Sequence, residues 1–354
     1  MLNAFNIDRA MSELPQHNRR YVLRTRPIAL PEDDNFTIER VPVPLPGDGQ
    51  LLVRILLAAL SPWQNQRLKD FRNYTKPFAI GELIDCDVLG EVIAGNAGGI
   101  EKGQLVTGRL GWQEFALTTP DMLLPISNEF ADTLWLTALS SPGLTAYCAM
   151  DLFARPMPGQ TMVVTSAAGA VGSYAVQLGK LAGMHVIGIA GGEEKCRLVT
   201  EDLGADACVD YRAGDVAERL GELCPNGVHL FFDTVGGPIA DSVFDNLAKY
   251  ARVLVVGRTL SNNSEHPDQD PVNMRQLWAR ECTIQCFSRY SYPQRWEFAR
   301  ERMTALCRQG QIRSIDNVVS GFENTPRALR DMLTGASTGK TLVRYAIAKQ
   351  QAST

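Results

Sequence analysis

The chain has 354 residues, of which 45% are hydrophobic and 21% are charged, and its formal net charge is -4 at pH 7. This length predicts about two domains of a globular protein, because one hydrophobic core rarely extends over so long a chain. The sequence lacks both a bilayer-spanning apolar run and clusters of Lys and Arg, which argues against membrane and nucleic-acid partners and favours a cytoplasmic protein.

The first part of the chain, after an N-terminal extension, has the pattern of short strands. Apolar runs at 51–57 and 88–94 are separated by turns, and Gly103 introduces a further strand that includes Val106. Short strands at this spacing predict a compact, barrel-like β domain.

From about Pro142 the pattern changes to alternating strands and helices. An apolar strand at 161–165 is followed by residues 170–182, whose apolar positions have the spacing of one helix face. Further strands are predicted at 185–190, 207–211, 228–235, 252–257 and 283–287, with helices at 193–203, from 238 and at 293–308. Such alternation predicts an α/β fold with a doubly wound parallel sheet.

The end of the chain returns to the β-rich pattern. Runs typical of strands at 318–322 and 341–346 flank one predicted helix. We therefore expect the tail to rejoin the first domain, so that residues 1–140 and 311–354 form one domain and residues 141–310 form the other.

The cysteines and histidines do not have the spacing of a metal site. Among eight cysteines and four histidines, the close pair Cys282 and Cys286 lies in a strand-like run and lacks a second pair or a nearby His. We expect reduced cysteines and no bound metal.

The main functional signal is a turn that contains two glycines and joins the strand at 161–165 to the next helix. Gly169 permits a tight turn, and Gly172 lets the helix approach the strand closely. The N–H groups at the start of the helix would bind the pyrophosphate of a dinucleotide. Because Ala167 stands where the first glycine of the usual motif is found, an ordinary strand–helix turn stays open as the alternative. The expected contacts are Gly169, Ala170, Val171, Gly172 and Ser173.

A second signal follows about 20 residues later, where an NAD site usually has Asp or Glu for the ribose 2′-hydroxyl. This sequence has Gly191 and Gly192 there, and Lys195 follows shortly after. A carboxylate would repel a 2′-phosphate and an ammonium would attract it, so the pattern favours NADP(H) over NAD. The alternative is that Lys195 is a solvated helix residue.

With these residues in place, the chain resembles the medium-chain dehydrogenase/reductases, and within them the zinc-independent prostaglandin, curcumin and alkenal double-bond reductases. The resemblance covers residues 18 to 346 and implies a GroES-like β-rich catalytic domain beside a Rossmann domain. It rests on several blocks in the family's order, namely 18–23, 42–44, 111–115, 142–147, 167–173, 232–237 and 339–340.

The resemblance implies NADPH-dependent reduction of the C=C bond of an α,β-unsaturated ketone or aldehyde. Hydride transfer to the β-carbon would leave an enolate, which hydrogen-bond donors stabilise before a proton reaches the α-carbon. It also implies a small, carbonyl-containing substrate and a homodimer. Lys195 and Tyr211 would hold the 2′-phosphate, and Phe287 would close over the nicotinamide. The other implied cofactor contacts are Thr145, Gly192, Thr234, Val256, Gly257 and Ser337.

The sequence departs from the family at positions expected near the substrate. Trp63 and Asn262 stand where the family usually has tyrosines, whereas Tyr74 and Tyr290 fall where it has aromatic residues. Trp63 adds apolar area, and Asn262 can donate a hydrogen bond but cannot deliver a proton. We take these four as candidate catalytic or substrate-contacting residues, and packing roles stay open for Tyr74 and Tyr290.

The altered pocket leaves a second function open, in which the scaffold keeps the nucleotide but performs a non-redox cyclisation or isomerisation. A zinc alcohol dehydrogenase is disfavoured because its Cys and His ligand sets are missing. A structural protein that merely sequesters the nucleotide is a further alternative.

Overall fold

A computed structural model describes residues 16–70, 75–263 and 273–346, apart from the side chains of residues 261 and 262. Contacts divide the described residues into two compact units. The first contains the residues up to Leu136, Val318–Thr334 and the residues from Thr341 onward, and the second contains Thr137–Asn317 and Gly335–Lys340.

Up to Pro125 the chain forms mostly strands, and from Thr161 strands alternate with helices. The strands are β1 (His17–Leu23), β2 (Phe36–Pro42), β3 (Leu51–Ala59), β4 (Asp87–Ala94), β5 (Leu105–Arg109), β6 (Phe115–Thr118), β7 (Leu123–Pro125), β8 (Thr161–Thr165), β9 (His185–Ala190), β10 (Ala207–Asp210), β11 (Val228–Asp233), β12 (Leu247–Val255), β13 (Thr283–Cys286), β14 (Asp316–Ser320) and β15 (Lys340–Arg344). The helices are α1 (Pro62–Leu68), α2 (Ser141–Ala149), α3 (Gly172–Leu181), α4 (Glu193–Arg197), α5 (Val216–Leu223), α6 (Gly237–Asp245), α7 (Thr259–Asn263), α8 (Met274–Ala279), α9 (Trp296–Arg308) and α10 (Thr325–Leu333). Short π-helical turns, Met150–Ala154 and Leu198–Asp202, continue α2 and α4.

The first unit is built on antiparallel strands. Its larger sheet has the order β14-β15-β3-β4-β5-β7, with β6 also paired to β3, and β1 pairs with β2 in a separate ribbon. Strand β3 is buried on both faces, and the core of this unit includes Trp112, Phe78 and Phe322. Tyr21 stacks on Phe322 with ring centroids 4.8 Å apart. This unit has the β-rich character expected of a GroES-like domain.

The second unit contains a parallel sheet with the order β10-β9-β8-β11-β12-β13. Every neighbouring pair in this order is parallel. The central strand β8 is buried along its whole length, as parallel strands covered by helices on both faces must be. The order is that of a Rossmann fold, so the predicted α/β class with a doubly wound parallel sheet is confirmed.

Three short stretches cluster differently from the expected division at 140/141 and 310/311. Residues 137–140, 311–317 and 335–340 belong to the second unit, and not to the first. Hydrogen bonds explain this placement, because Gln177 of α3 bonds the backbone of Arg313 and the Gly339 N–H donates to the Ala168 carbonyl at 2.8 Å.

Within the described part of the chain, no helix is both long enough and apolar enough to cross a bilayer.

Candidate functional site

The centre of the parallel sheet has its strand ends fixed by a buried polar network. The strand order reverses between β8 and β11, and ligands of open α/β sheets bind in the crevice outside such a reversal. The Thr165 hydroxyl at the end of β8 donates to Asp233 Oδ1 at the end of β11 over 2.9 Å. Asp233 Oδ1 also accepts from the N–H groups of Val235 (3.0 Å) and Gly236 (3.1 Å), so the carboxylate shapes the turn that leaves β11.

Burial raises the pKa of Asp233, although the N–H groups of Val235 and Gly236 and the Thr165 hydroxyl lower it in part. Asp233 is 3% exposed, and the three donors to its carboxylate come from residues at the ends of the two central strands. Because a buried acceptor left without donors is costly, this network holds the crevice in one geometry.

The glycine turn between β8 and α3 is tightly packed at its two glycines. A Cβ placed on Gly172 would lie 2.2 Å from the Ser166 carbonyl oxygen, and one on Gly169 would lie 2.4 Å from Ser166 Oγ. Ser166 itself has a φ of 49°, in the left-handed region that L-residues rarely adopt. The predicted contacts Ala170, Val171 and Ser173 lie in or directly after this turn, and the Ser173 N–H donates to the Gly169 carbonyl at 3.0 Å.

The segment 335–340 lies against the glycine turn. Gly339 forms a parallel bridge with Gly169, and its left-handed φ of 67° places a hypothetical Cβ only 1.9 Å from the Ile315 carbonyl oxygen. Only glycine therefore fits at 339. The predicted cofactor contact Ser337 belongs to this segment, so the structure brings it into the same part of the second unit as the glycine turn.

The carboxyl ends of β9 and β10 form the pocket in which the 2′-phosphate is expected. A Cβ on Gly191 would lie 2.7 Å from both Cζ and the hydroxyl oxygen of Tyr211, so no acidic side chain fits at 191 while Tyr211 holds its place. Gly192 has a φ of 97°, and its N–H donates to Asp210 Oδ1 at 2.8 Å. The same oxygen accepts the Arg212 N–H at 2.9 Å, and these backbone hydrogen bonds lower the pKa of Asp210.

Lys195 has partners that its sequence context did not reveal. Its Nζ donates to the carbonyl oxygens of Gly335 at 2.8 Å and Ser337 at 2.7 Å. Burial, and secondly the charge of Arg212, lower the pKa of Lys195. The Arg212 guanidinium carbon lies 5.6 Å from the centre of the Tyr211 ring. The glycine pair at 191 and 192 therefore lies beside the Tyr211 phenol and the Asp210 carboxylate, and the Arg212 charge acts on Lys195.

The predicted cofactor contacts Thr234, Val256 and Gly257 are close together at the ends of β11 and β12. The N–H groups of Val256 (2.8 Å) and Gly257 (3.2 Å) both donate to the Asp233 carbonyl oxygen. The Thr234 N–H donates to Thr165 Oγ1 at 2.8 Å, which ties this group to the buried network.

Three further candidates of the second unit, Thr145, Phe287 and Tyr290, lie in α2 or after β13. Thr145 is a half-buried residue of α2. Phe287 follows β13, is 6% exposed and stacks on Tyr292 with centroids 5.7 Å apart, so its ring belongs to an aromatic cluster. Tyr290 is 44% exposed and packs edge-on against Trp296. Their roles at a cofactor or substrate stay predictions.

The remaining substrate-side candidates are divided between the two units and the undescribed residues. Trp63 lies in α1 of the first unit, where the Arg109 guanidinium carbon is 4.5 Å from the centre of its ring. Asn262 falls in α7 of the second unit, but its side chain lies outside the described residues, as does the whole of Tyr74.

Sequence reasoning missed Asp233, Arg212 and the strained Ser166. Asp233 could have been found as a single acid at the carboxyl end of an apolar strand, next to the expected reversal of strand order. Nothing local in the sequence indicates the partners of Lys195, which follow it by 140 and 142 residues.

Comparisons with known proteins agree with this architecture. Residues 170–305 match the family model described as zinc-binding dehydrogenase, and residues 19–126 match the N-terminal domain of oxidoreductase. Despite the first description, the described residues contain no group of three or more His, Cys, Asp or Glu side chains that could hold a metal ion.

Individual relatives are similar over nearly the full length. The NADPH-dependent curcumin reductase of Escherichia coli (strain K12) is 35% identical over 343 residues, which is 95% of this chain and 99% of the relative. The 2-alkenal reductase (NADP(+)-dependent) of Nicotiana tabacum is 27% identical over 92% of this chain and 97% of its own. The crystal structure of CurA in complex with NADPH from Vibrio vulnificus superposes with a TM-score of 0.87 at 34% identity, covering 93% of this chain and 99% of that one. The chain therefore belongs to the zinc-independent curcumin and alkenal reductase family of the medium-chain dehydrogenase/reductases.

Proposed function

We propose that this protein is an NADPH-dependent enzyme that reduces the C=C bond of an α,β-unsaturated ketone or aldehyde by hydride transfer to the β-carbon. The names of the curcumin and alkenal reductases to which it is similar support this reaction class. The first unit would be the catalytic domain and the second the cofactor domain, and we expect a cytoplasmic homodimer that takes a small apolar substrate.

The observation that carries the proposal is the fit between the second unit and a dinucleotide with an extra phosphate. Gly169 and Gly172 form a turn that any Cβ would fill, as close approach of a pyrophosphate to the backbone requires. At the end of β9, Tyr211 occupies the space that an acidic side chain at 191 would need, and the cations of Lys195 and Arg212 are near. The Asp210 carboxylate at the end of β10 accepts the N–H groups of Gly192 and Arg212 on one oxygen. With two cations beside that carboxylate, we expect the pocket to favour a 2′-phosphate over a free 2′-hydroxyl.

The bound cofactor would supply the hydride, and the protein would position the reactants and stabilise the charge that develops on the substrate. Thr165 and Asp233 fix the strand ends from which Thr234, Val256 and Gly257 extend, and these three would border the nicotinamide. Charge on the substrate carbonyl oxygen would be stabilised by hydrogen-bond donors, for which Asn262 is the candidate on the second unit. Because an amide does not release a proton at neutral pH, we expect the α-carbon proton to come from water or a cofactor hydroxyl.

The direct test is to incubate the purified protein with NADPH and an aromatic enone, following the loss of nicotinamide absorbance. Mass spectrometry should show a product heavier by two hydrogens. With NADPH deuterated at C4, the deuterium should appear at the β-carbon. The matching saturated ketone should cause no oxidation, and NADH should support a lower rate at the same concentration.

The outcome also decides between this reaction and the non-redox roles that the sequence leaves open. Tight binding of NADPH without label transfer to any enone would contradict the proposal and favour a non-redox role for the bound nucleotide. Failure to bind NADPH at all would overturn both.

A further inference from the structure

Two arginines lie near each other toward the amino ends of the parallel strands, on the side of the sheet opposite to the glycine turn. Arg252 of β12 pairs with Leu230 of β11 and with Thr283, the first residue of β13. Arg155 directly follows the π-helical turn Met150–Ala154, which is in contact with β12. The charge of Arg155 acts on Arg252, so the two guanidinium groups share one neighbourhood.

Neither arginine has an acidic partner among the described residues. Arg252 Nη2 donates to a neutral amide, the Oε1 atom of Gln160, at 2.6 Å. The Arg252 Nε–H is buried and finds no acceptor in the described part of the chain. A third basic group is close by, because His229 Nδ1 accepts the Thr161 N–H at 3.2 Å where β8 begins. This end of the sheet therefore gathers basic side chains without a counter-charge.

The charges at this end of the sheet are unfavourable as they stand. Burial first, and then the charge of Arg155, lowers the pKa of Arg252. Burial first, and then the charge of Arg252, lowers the pKa of His229, although a hydrogen bond with the Gly227 backbone opposes both. Partly buried charges in proteins are normally paired, so a cluster of this kind is one that an external anion would stabilise.

Arg155 has a backbone conformation that its residue type disfavours. Its φ of 45° and ψ of 56° lie in the left-handed region, where a glycine would be free of strain. Both π-helical turns and left-handed residues other than glycine are found preferentially at functional sites. The chain thus has a guanidinium at a position where the backbone alone would favour glycine.

We propose that Arg155 and Arg252 bind a phosphate group at the amino ends of the parallel strands. A guanidinium is a planar fork that donates two parallel hydrogen bonds to two oxygens, and Gln160 leaves Nη1 of Arg252 uncommitted. A carboxylate has oxygens for one fork, whereas a phosphate has enough for both and carries more charge. The site does not depend on the proposed reaction, and its ligand is either free inorganic phosphate or the phosphate group of a metabolite.

The test is a calorimetric titration of the NADPH-saturated protein with inorganic phosphate, in chloride buffers of constant ionic strength. Saturation with NADPH keeps phosphate out of the pocket expected beyond β9. We expect saturable binding that Arg155→Met and Arg252→Met each weaken about 10-fold or more, the size of a charged hydrogen bond. Arg219→Met removes an arginine that pairs with Glu222 in the same unit, and it should leave the affinity unchanged.

A parallel titration with phenyl phosphate identifies the source of the ligand. Binding of the ester as tight as that of inorganic phosphate, or tighter, would support the phosphate group of a metabolite. Binding of inorganic phosphate alone would support the free ion, because the site would then have no room for a substituent.

Thermal melting of the same NADPH-saturated protein separates the charge of Arg155 from its place in the structure. Arg155→Gly removes the guanidinium and the backbone strain together, so in chloride this variant should not melt below the parent. Replacing chloride by phosphate should raise the melting temperature of the parent but not that of Arg155→Gly, and Arg155→Lys should keep part of the rise. The proposal would fail if phosphate did not bind saturably, or if the Arg155 and Arg252 variants bound it as tightly as the parent does.

Discussion

The Thr165 hydroxyl donates to the Asp233 carboxylate over 2.9 Å, which joins the ends of the two strands where the order of the parallel sheet reverses. The same hydroxyl oxygen accepts the Thr234 N–H at 2.8 Å. The buried Thr165 side chain thus donates to a carboxylate and orients Thr234, a predicted cofactor contact.

Replacing Thr165 by Val should therefore lower the free energy of unfolding by more than its small change in shape suggests. Thr165→Val keeps the branched form but leaves the Asp233 oxygen without one donor and the Thr234 N–H without its acceptor, so we expect a loss of about 2–4 kcal/mol in the free energy of unfolding. Thr165→Ser keeps the hydroxyl and loses one buried methyl, at about 1 kcal/mol. Chemical denaturation would measure both, and equal losses in the two variants would contradict a role for the hydroxyl.

The raised pKa of Asp233 predicts a pH dependence whose sign can be tested. Burial lifts its folded-state pKa above the ordinary value of 3.8, so the folded protein binds this proton more tightly and loses stability as pH rises from about 4 through the folded pKa. Asp233→Asn removes this titration. The melting temperature of the parent relative to this variant should therefore fall as pH rises through that interval.

Asp206 in the same unit provides a control of opposite sign. Its burial raises the pKa, but hydrogen bonds from Lys180 and the Val186 N–H outweigh burial and bring the pKa below 3.8. Asp206 therefore contributes stability that is present above the unfolded pKa and is lost as pH falls through the folded one. The melting temperature of the parent relative to Asp206→Asn should therefore rise as pH rises through the folded pKa toward 3.8. If the differences from Asp233→Asn and Asp206→Asn changed with pH in the same direction, the assignment would be refuted.

The parallel-sheet unit and its glycine turn could be predicted because each depends on local signals. Apolar strands alternate with helices of regular period, and Gly169 and Gly172 lie at the fixed offsets that a tight strand–helix turn needs. The relation between Tyr211 and Gly191 is less local, and the sequence indicated only the missing acid, not the ring that occupies the space.

The tail could not be assigned in the same way. Residues 335–340 lie between stretches that belong to the first unit, and their membership of the second depends on hydrogen bonds to Ala168 and Lys195. No spacing rule predicts a contact across 140 residues. The candidate Ser337 came from family resemblance. Its contact with Lys195 uses the backbone carbonyl, which every residue has, so the residue type could not indicate it.

The two glycines of the turn should differ in their tolerance of substitution. In Gly172→Ala the new Cβ would meet backbone, with the Ser166 carbonyl carbon and oxygen at 2.8 and 2.2 Å, so we expect a loss of about 3 kcal/mol and of most NADPH affinity. In Gly169→Ala the nearest atom is Ser166 Oγ, which can rotate away. The loss should be smaller and should be partly restored in the double variant Ser166→Ala/Gly169→Ala.

The control for this series is Gly214→Ala, whose Cβ would have no heavy atom within 4 Å and whose φ is not positive. It should leave both the melting temperature and the dissociation constant for NADPH unchanged. If Gly172→Ala behaved like Gly214→Ala, the turn would not have the tight packing that binding of a pyrophosphate to its backbone requires.

The first unit supplies the last prediction, which concerns the cation on Trp63. The Arg109 guanidinium lies 4.5 Å from the centre of the Trp63 ring, and its Nε donates to Asp85 Oδ2 at 2.5 Å, so the cation is anchored and the indole is held beneath it. Under the proposed function Trp63 faces an apolar substrate. Arg109→Met keeps an aliphatic chain but removes the cation–π contact, which is worth about 0.5–1 kcal/mol at exposed sites.

We therefore expect Arg109→Met to raise KM for an aromatic enone about two- to fivefold with little change in kcat. The reason is that the Trp63 ring would contact the substrate equally in the bound state and in the transition state. Trp63→Tyr, which restores the usual family residue, should move KM in the same direction for bulky enones and leave small ones unaffected. Arg20→Met removes an arginine of the same unit that pairs with Glu39, and should change neither constant. Equal KM values in all three variants and the parent would show that Trp63 does not contact the substrate, and would move the search for its binding surface elsewhere.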